Sequence, residues 1–379
     1  MGDTYMNNPD IIKVSVIMPI YNAYDYLRPA LDSVLDQTLR ELELVCIDDG
    51  STDGSLQILK EYQKLDERVR IITENNAGPS IARNKGLARC RGKYVMFLDA
   101  DDFYEPTLLE SLYELAEAQE LDIAVAGYDI YNSRRAKFEQ RIPVEHEEVF
   151  DDGVVTSKNE YPDVIFTSVA NYVWNKLFNR EFLVEKCLGF PEDIRVFEDV
   201  YFVMTSMSMA TRVAKLNKVL VHHRIYSEQS KNKLFKKYYM QVPVLYKHVK
   251  EFLMHNGVYA PLSTSFLNYS TSRCYKVLNM LWRDAKEEMW NALHTEYAVA
   301  LGWDQANPDD FEQEEIRDFT ACILMYDYEL NERRSDKGLK VEVGRVRQRL
   351  NRLAARDRFR KFFGGIFGGK KRKKDKKEN

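Results

Sequence analysis

The stretch Tyr94-Val95-Met96-Phe97-Leu98-Asp99-Ala100-Asp101-Asp102 places three carboxylates within four positions, directly after five mostly apolar residues. An apolar run of that length suits a strand buried on both faces. The carboxylates then fall where the strand leaves its sheet, the end at which open α/β sheets bind ligands. Anionic groups so close together repel one another unless a cation sits among them. Oxygen-only ligation selects a hard ion, Mg2+ or Mn2+, which can bridge to phosphates. A solvated acidic turn has the same composition, so the choice depends on whether the preceding chain builds a nucleotide site beside it.

The segments that must position these carboxylates read as alternating strands and helices. Val14–Pro19 is a first strand, stopped by Pro19. Leu27, Ala30, Leu31, Val34 and Leu35 recur at the spacing of one helix face, with Pro29 expected in the first turn, where its missing N–H costs nothing. Leu42–Ile47 is a second strand, ending in Asp48-Asp49-Gly50-Ser51-Thr52-Asp53-Gly54-Ser55, a turn rich in N-cap residues. A helix over about Ser55–Leu65, a short strand Val69–Ile72, the turn Asn75–Pro79 and a helix to about Arg89 lead into the acidic strand. Short loops in a βαβαβαβ order predict a doubly wound, mostly parallel sheet. Tyr21 and Asn22, Asp48 and Asp49, and Asp99 and Asp101 then gather at the C-terminal ends of the strands, with Arg83 on the third helix. An aromatic ring there can stack on a nucleobase, and a carboxylate can accept the imide N–H of uracil. No GxGxxG follows the first strand and no GxxxxGK[ST] occurs, which counts against dinucleotide and P-loop sites. A sugar-1-phosphate nucleotidyltransferase would need a Gly-rich loop where Pro19-Ile20-Tyr21-Asn22 stands.

Four motifs in order carry a resemblance: Val14–Asn22; Asp48-Asp49-Gly50-Ser51-Thr52-Asp53; Asn76-Ala77-Gly78 with Ala82-Arg83-Asn84 and Gly86; and Phe97–Asp102. Together they resemble the family 2 glycosyltransferases of the GT-A fold, strongly over residues 13 to about 130 and weakly to about 230. The resemblance implies that Pro19, Tyr21, Asn22, Asp49, Asn76, Arg83 and Asp99 line the nucleotide side, with Tyr21 and Asp49 on the base. Asp99 would contact ribose or metal, and Asp101 would bind a Mn2+ or Mg2+ cofactor on the donor diphosphate. It also makes Asp199, in Phe197-Glu198-Asp199-Val200, the general base of an inverting transfer from a UDP-sugar. Without the resemblance, Glu198 and Asp199 read as acids near the positive end of the helix Val200–Met209. Inverting transfer needs one carboxylate near the acceptor hydroxyl, so one base and one metal site form a complete set.

The rest of the chain carries weaker signals. Ile123–Gly127 reads as another strand, and Tyr131–Glu148 as a surface hairpin or mobile loop. Trp174 lines an acceptor pocket or belongs to the core. His222 and His223 sit on a strand and point to opposite faces, so at most one, His223, meets metal or phosphate. From Lys236 to about Asn331 the spacing is helical, as in Val242, Leu245, Tyr246, Val249 and Leu253, consistent with an acceptor cover or a homo-oligomer interface. The expected organisation is an extension 1–12, a GT-A domain 13–230 divided near residue 127, a helical appendage 231–340 and a tail 341–379.

Composition adds one asymmetry. Residues 345–379 hold 15 Lys and Arg against 3 Asp and Glu, a net of +12, so the remaining chain carries −16 of the total of −4. Phe359, Phe362, Phe363, Ile366 and Phe367 are set among those cations, which fits a segment lying on an anionic membrane surface rather than a nucleic-acid arm. The five cysteines include no CxxC, so neither zinc nor a disulfide framework is signalled. Met1–Asp10 lacks an apolar signal region, and no run of about 18 apolar residues occurs. These features predict a cytoplasmic enzyme peripheral to the inner face of the cell membrane, acting on a glycan or lipid-linked acceptor in surface polysaccharide synthesis. The alternative is a degenerate membrane-associated glycan-binding or scaffold protein. The lack of an apolar run long enough to span a membrane and of Gln-x-x-Arg-Trp counts against a processive synthase.

Overall fold

A computed structural model describes residues 12–139, 141, 144–225, 237–326 and 328. The expected basic tail, and nearly all of the N-terminal extension, lie outside the described residues. The chain divides between Arg273 and Cys274 into two compact units.

The first unit opens with β1 (Val14–Ile20), α1 (Tyr24–Leu35), β2 (Leu42–Asp48), α2 (Ser55–Leu65), β3 (Val69–Thr73), α3 (Pro79–Leu87) and β4 (Tyr94–Phe97). After them come β5 (Phe103–Tyr104), α4 (Leu108–Ala118), β6 (Ile123–Asn132), β7 (Lys137–Glu139), β8 (Lys176–Asn179), α5 (Arg180–Glu185), α6 (Glu198–Met209), β9 (Val213–Ile225), α7 (Gln241–His255) and α8 (Tyr259–Met280), whose last turns enter the second unit. The strand order is β3-β2-β1-β4-β8-β6-β9-β5, with β7 paired to β6. The first four strands are parallel, and β8 is antiparallel to both β4 and β6. The predicted mostly parallel, doubly wound sheet is what the chain forms. Its connections reverse direction between β1 and β4, so the crevice beyond their carboxyl ends is the expected ligand position.

Residues of β1, β2 and β4 are buried almost throughout, as unbroken apolar runs require when helices cover both faces. Leu27, Ala30, Leu31 and Val34 turn the buried face of α1 into the core. Each Leu or Val so buried contributes roughly 1.5–3 kcal/mol.

Two expectations about proline need correction. Pro19 does not stop β1, which continues to Ile20 and pairs Pro19 with Ile47. Pairing with β4 ends at Ile17–Phe97, and the Ile17 carbonyl accepts from the Leu98 N–H. By strand alternation Pro19 faces that same side, where no further strand needs a donor. Pro29 is the sixth residue of α1, not in its first turn, because the helix begins at Tyr24. It lies on the exposed face, where water can serve the carbonyl left without its helical partner.

The segment after β6 folds as a hairpin, with Tyr131 opposite Phe138. Cys46, Cys90 and Cys274 are buried. The second unit contains α9 (Asp284–Ala292), α10 (Ala298–Leu301) and α11 (Glu314–Met325), and in it the buried Trp303 ring stands edge-on to Phe319 of α11. No helix among the described residues is long and apolar enough to cross a membrane.

Candidate active site

The loops after β1, β2 and β3 form one laced wall. Asn22 adopts a left-handed backbone (φ 51°), which asparagine tolerates better than most residues. Its side-chain oxygen accepts the Thr52 N–H at 2.8 Å, and its own N–H donates to Ser51. The next two amides donate to Ser55 and Asp53. Gly50 (φ +72°) lets the β2 loop approach the Asn76 backbone so closely that an added Cβ would stand 2.8 Å from its nitrogen. Asp49 is buried, and its two oxygens accept the Ala77 and Gly78 N–H groups at 2.7 and 2.8 Å. Its carboxylate therefore fixes the third loop. Tyr21 (53% exposed) and Asn76 stand open on this wall.

Beyond β4, Asp99, Asp101 and Asp102 bring carboxylate oxygens within 4.8 Å of one another. Asp102 is wholly buried and accepts from the Arg224 N–H at 2.8 Å, with His223 Nδ1 at 3.1 Å. The Arg224 guanidinium donates to the Asp101 carbonyl and lies over the rings of Tyr26, Phe103 and Tyr131. Burial first, and then mutual repulsion, raise Asp101 well above the usual carboxylate range. Burial raises Asp102 as well, against the pull of His223. Three acids held together against repulsion in a half-buried turn are a donor set that suits a hard divalent cation.

Arg83 joins this turn to the start of α6. Its guanidinium is buried, donating to Asp99 Oδ1 at 2.9 Å and to Glu198 Oε1 at 2.7 Å. Two carboxylates of the protein thus engage its two terminal nitrogens. Phe197, at φ +60°, turns the chain sharply into α6, so that Glu198 and Asp199 occupy its first turn. A non-glycine residue in that region is a strained conformation of the kind concentrated at functional sites. Asp199 accepts the Val200 N–H at 2.9 Å. Enclosure by protein, and then the Glu198 charge, push its carboxyl up to about 7, against the pull of Arg83. A carboxylate so placed exchanges a proton near neutral pH, as a general base must.

On the other side of His223 is an aromatic stack. Its ring lies 5.1 Å from Trp174 at 12°, and Trp174 lies 4.8 Å from Tyr172 at 11°. Trp174 is 3% exposed and belongs to the core, whereas Tyr172 is 39% exposed. Of the two places considered for Trp174, the structure gives it the buried one, with Tyr172, His223 and Tyr128 packed against its ring. His222 faces away, between Asp129 (2.7 Å) and Glu105 (2.9 Å), so the two histidines do point oppositely.

Several residues at the site escaped the sequence reading. Lys176 is fully buried, and its ammonium donates to the carbonyls of Ala170 (2.5 Å) and Tyr172 (2.8 Å) and to Asn175 Oδ1 (2.8 Å). Burial drives it down to about 7, and Asp199 pulls the other way. A single Lys inside the apolar run Val173–Phe178 was the available signal. Arg195 donates to the Ala77 carbonyl at 2.5 Å, tying the segment before α6 to the loop after β3. No spacing in the sequence announces that contact.

Residues 15–189 match the profile of Glycosyl transferase family 2. The chain is 37% identical over 217 residues to Glycosyltransferase GlyA of Streptococcus pneumoniae, covering 56% of this chain but only 30% of that protein's length. It is 30% identical to Putative glycosyltransferase EpsH of Bacillus subtilis over 64% of this chain and 70% of that protein. The crystal structure of S. aureus TarS 1–349 in complex with UDP-GlcNAc shares the fold at a TM-score of 0.64 and 20% identity, over 81% of this chain and 86% of that one. The motifs, the fold around them and these likenesses agree: the chain belongs to glycosyl transferase family 2.

Proposed function

We propose that this chain transfers a sugar from a UDP-sugar to a hydroxyl of a glycan acceptor, with inversion at the anomeric carbon. The observation that carries the reading is the pair of acidic groups joined by one buried cation: Asp99, Asp101 and Asp102 on one side, Glu198 and Asp199 on the other, with Arg83 between. The exposed ring of Tyr21 supports a stacked base, and the Asp49 carboxylate an acceptor for the uracil imide N–H. That a structure of the same fold holds UDP-GlcNAc supports a nucleotide-sugar donor here.

In this reading Asp199 takes the proton of the acceptor hydroxyl as its oxygen attacks the anomeric carbon. The bond from that carbon to the UDP oxygen breaks on the opposite face, and the electron pair leaves with UDP. Asp99, Asp101 and Asp102 would hold Mn2+ or Mg2+, which supplies charge neutralisation to a diphosphate leaving group. Arg83 keeps Asp99 and Glu198 in register, so the leaving-group and base sides cannot drift apart. His223, held by Asp102 and stacked on the Trp174 ring, borders the acidic turn. The acceptor is a membrane-attached glycan of a surface polysaccharide, a reading supported by the Phe-rich basic segment 343–379.

The test is release of UDP from a panel of UDP-sugars with Mn2+ or Mg2+. Release from at least one donor, abolished by EDTA, is expected. No release together with no measurable UDP binding would overturn the reading.

A further inference from the structure

The acceptor side carries more than a base. Tyr172 is 39% exposed, and Trp174 stacks against its ring at 4.8 Å. Lys176 holds the Tyr172 carbonyl at 2.8 Å, so the ring stands on a fixed backbone. A flat, half-exposed aromatic face held rigid is a platform for the C–H face of a sugar ring, because it offers contact area at little conformational cost.

Beside it runs one face of α8. Ser265, Tyr269 and Arg273 follow at four-residue intervals and therefore share that face. The Ser265 hydroxyl accepts the Phe166 N–H at 2.9 Å, which docks the face against the segment leading to Tyr172. Tyr269 is 7% exposed. The Arg273 guanidinium lies over the Tyr269 ring, 5.1 Å from its centre, and the residue is exposed. Among the described residues no carboxylate forms an ion pair with Arg273. This contrasts with Arg83, which has two. Burial raises the Tyr172 hydroxyl; Arg273 pulls it back and Asp199 pushes it further, so both charges bear on this one ring.

We infer that Tyr172 and Arg273 form the acceptor subsite beside Asp199, and that it takes a sugar carrying an anionic group, a phosphate or a carboxylate. Tyr172 stacks on the ring. Arg273 meets the anion with N–H donors that no protein carboxylate among the described residues occupies. A charge-assisted contact of this kind separates charged from neutral sugars on the order of tenfold or more. The inference rests on Asp199 being the acceptor-side base, but its test needs no donor, so it can fail while UDP release stands, or hold while UDP release fails.

The experiment is titration of the full chain, followed by saturation-transfer NMR, with methyl α-D-glucopyranoside, glucose 6-phosphate and glucuronic acid. Inorganic phosphate serves as a competitor. At least one charged sugar is expected to bind on the order of tenfold more tightly than the neutral glycoside; which one identifies the anion. Arg273→Gln should erase that preference, Arg273→Lys should restore part of it, and Tyr172→Ala should weaken all three sugars together. Both side chains are exposed, and unchanged melting temperatures would confirm that the variants fold. Equal affinity for charged and neutral sugars, no saturable binding of either charged sugar, a preference that survives Arg273→Gln, or inorganic phosphate binding as well as glucose 6-phosphate would each overturn the inference. Unchanged sugar affinity in Tyr172→Ala would remove the platform.

Discussion

Replacing Arg83 with Met tests whether one cation holds the two acidic groups in place. The Arg83 side chain is 6% exposed, against 12% for Glu198 and 27% for Asp99. Removing it strands Glu198 in a site that admits little water. Breaking a buried pair by deleting one partner costs about 3–5 kcal/mol, mostly from the unpaired charge left behind. Asp99 reaches water more readily, so its share is smaller, about 0–1 kcal/mol. A loss of about 3–5 kcal/mol is a large part of the stability of a typical domain, so urea unfolding at low temperature is the suitable assay. The decisive comparison is the double variant Arg83→Met with Glu198→Met. Replacing both ions with apolar groups removes the stranded charge and should recover most of the loss, giving a coupling of at least about 2 kcal/mol. If the single variant loses under about 1 kcal/mol, or the two losses simply add, Arg83 is not the clamp described. UDP release should fall in both variants, because Asp99 loses its partner in each.

Asp199→Asn should lower transfer by about 10²–10⁴-fold with UDP affinity unchanged. A base must be ionised, so wild-type kcat/KM should rise with pH through the region near 7 to which Asp199 is pushed, and this limb should vanish in the variant; an equal fall in UDP affinity would move Asp199 to the donor side. Asp101→Asn should abolish Mn2+ binding, read by electron paramagnetic resonance, while the metal-free protein melts no lower, since a repelling charge is gone; full-rate turnover in excess EDTA would refute a metal role. Asp49→Ala releases the Ala77 and Gly78 amides and should weaken UDP on the order of tenfold with Mn2+ affinity kept, a result excluded if isothermal titration finds UDP binding intact. Deleting residues 343–379 should release the protein from anionic liposomes; sedimentation equal to that of the full chain would rule out this anchor.

The parallel half of the sheet was legible in the sequence because its signals are local. Apolar runs such as Leu42–Ile47 and the helical spacing from Leu27 to Leu35 report burial that every neighbour in the sheet requires. Turn residues such as Gly78-Pro79 report backbone geometry. The acidic turn was legible because three carboxylates adjacent in sequence must also be adjacent in space. Where local rules failed, the neighbouring chain had changed the cost. Pro19 lies within β1 because β4 ends before it needs a donor there, and no feature of Pro19 itself records where β4 stops.

The remainder was decided by long-range contact. Arg83 meets Glu198 across 115 residues and His223 meets Asp102 across 121, so no spacing rule connects either pair. Trp174 and Tyr172 are two positions apart and stack on each other, and only the tertiary packing around them leaves one buried and the other exposed. The same holds for Arg273, an unremarkable cation in a helix until its face is set beside Tyr172. Sequence determined which groups could do chemistry and which strands would carry them. Tertiary structure decided which charges neutralise one another and which remain for a ligand, because burial and pairing are properties of what surrounds a residue.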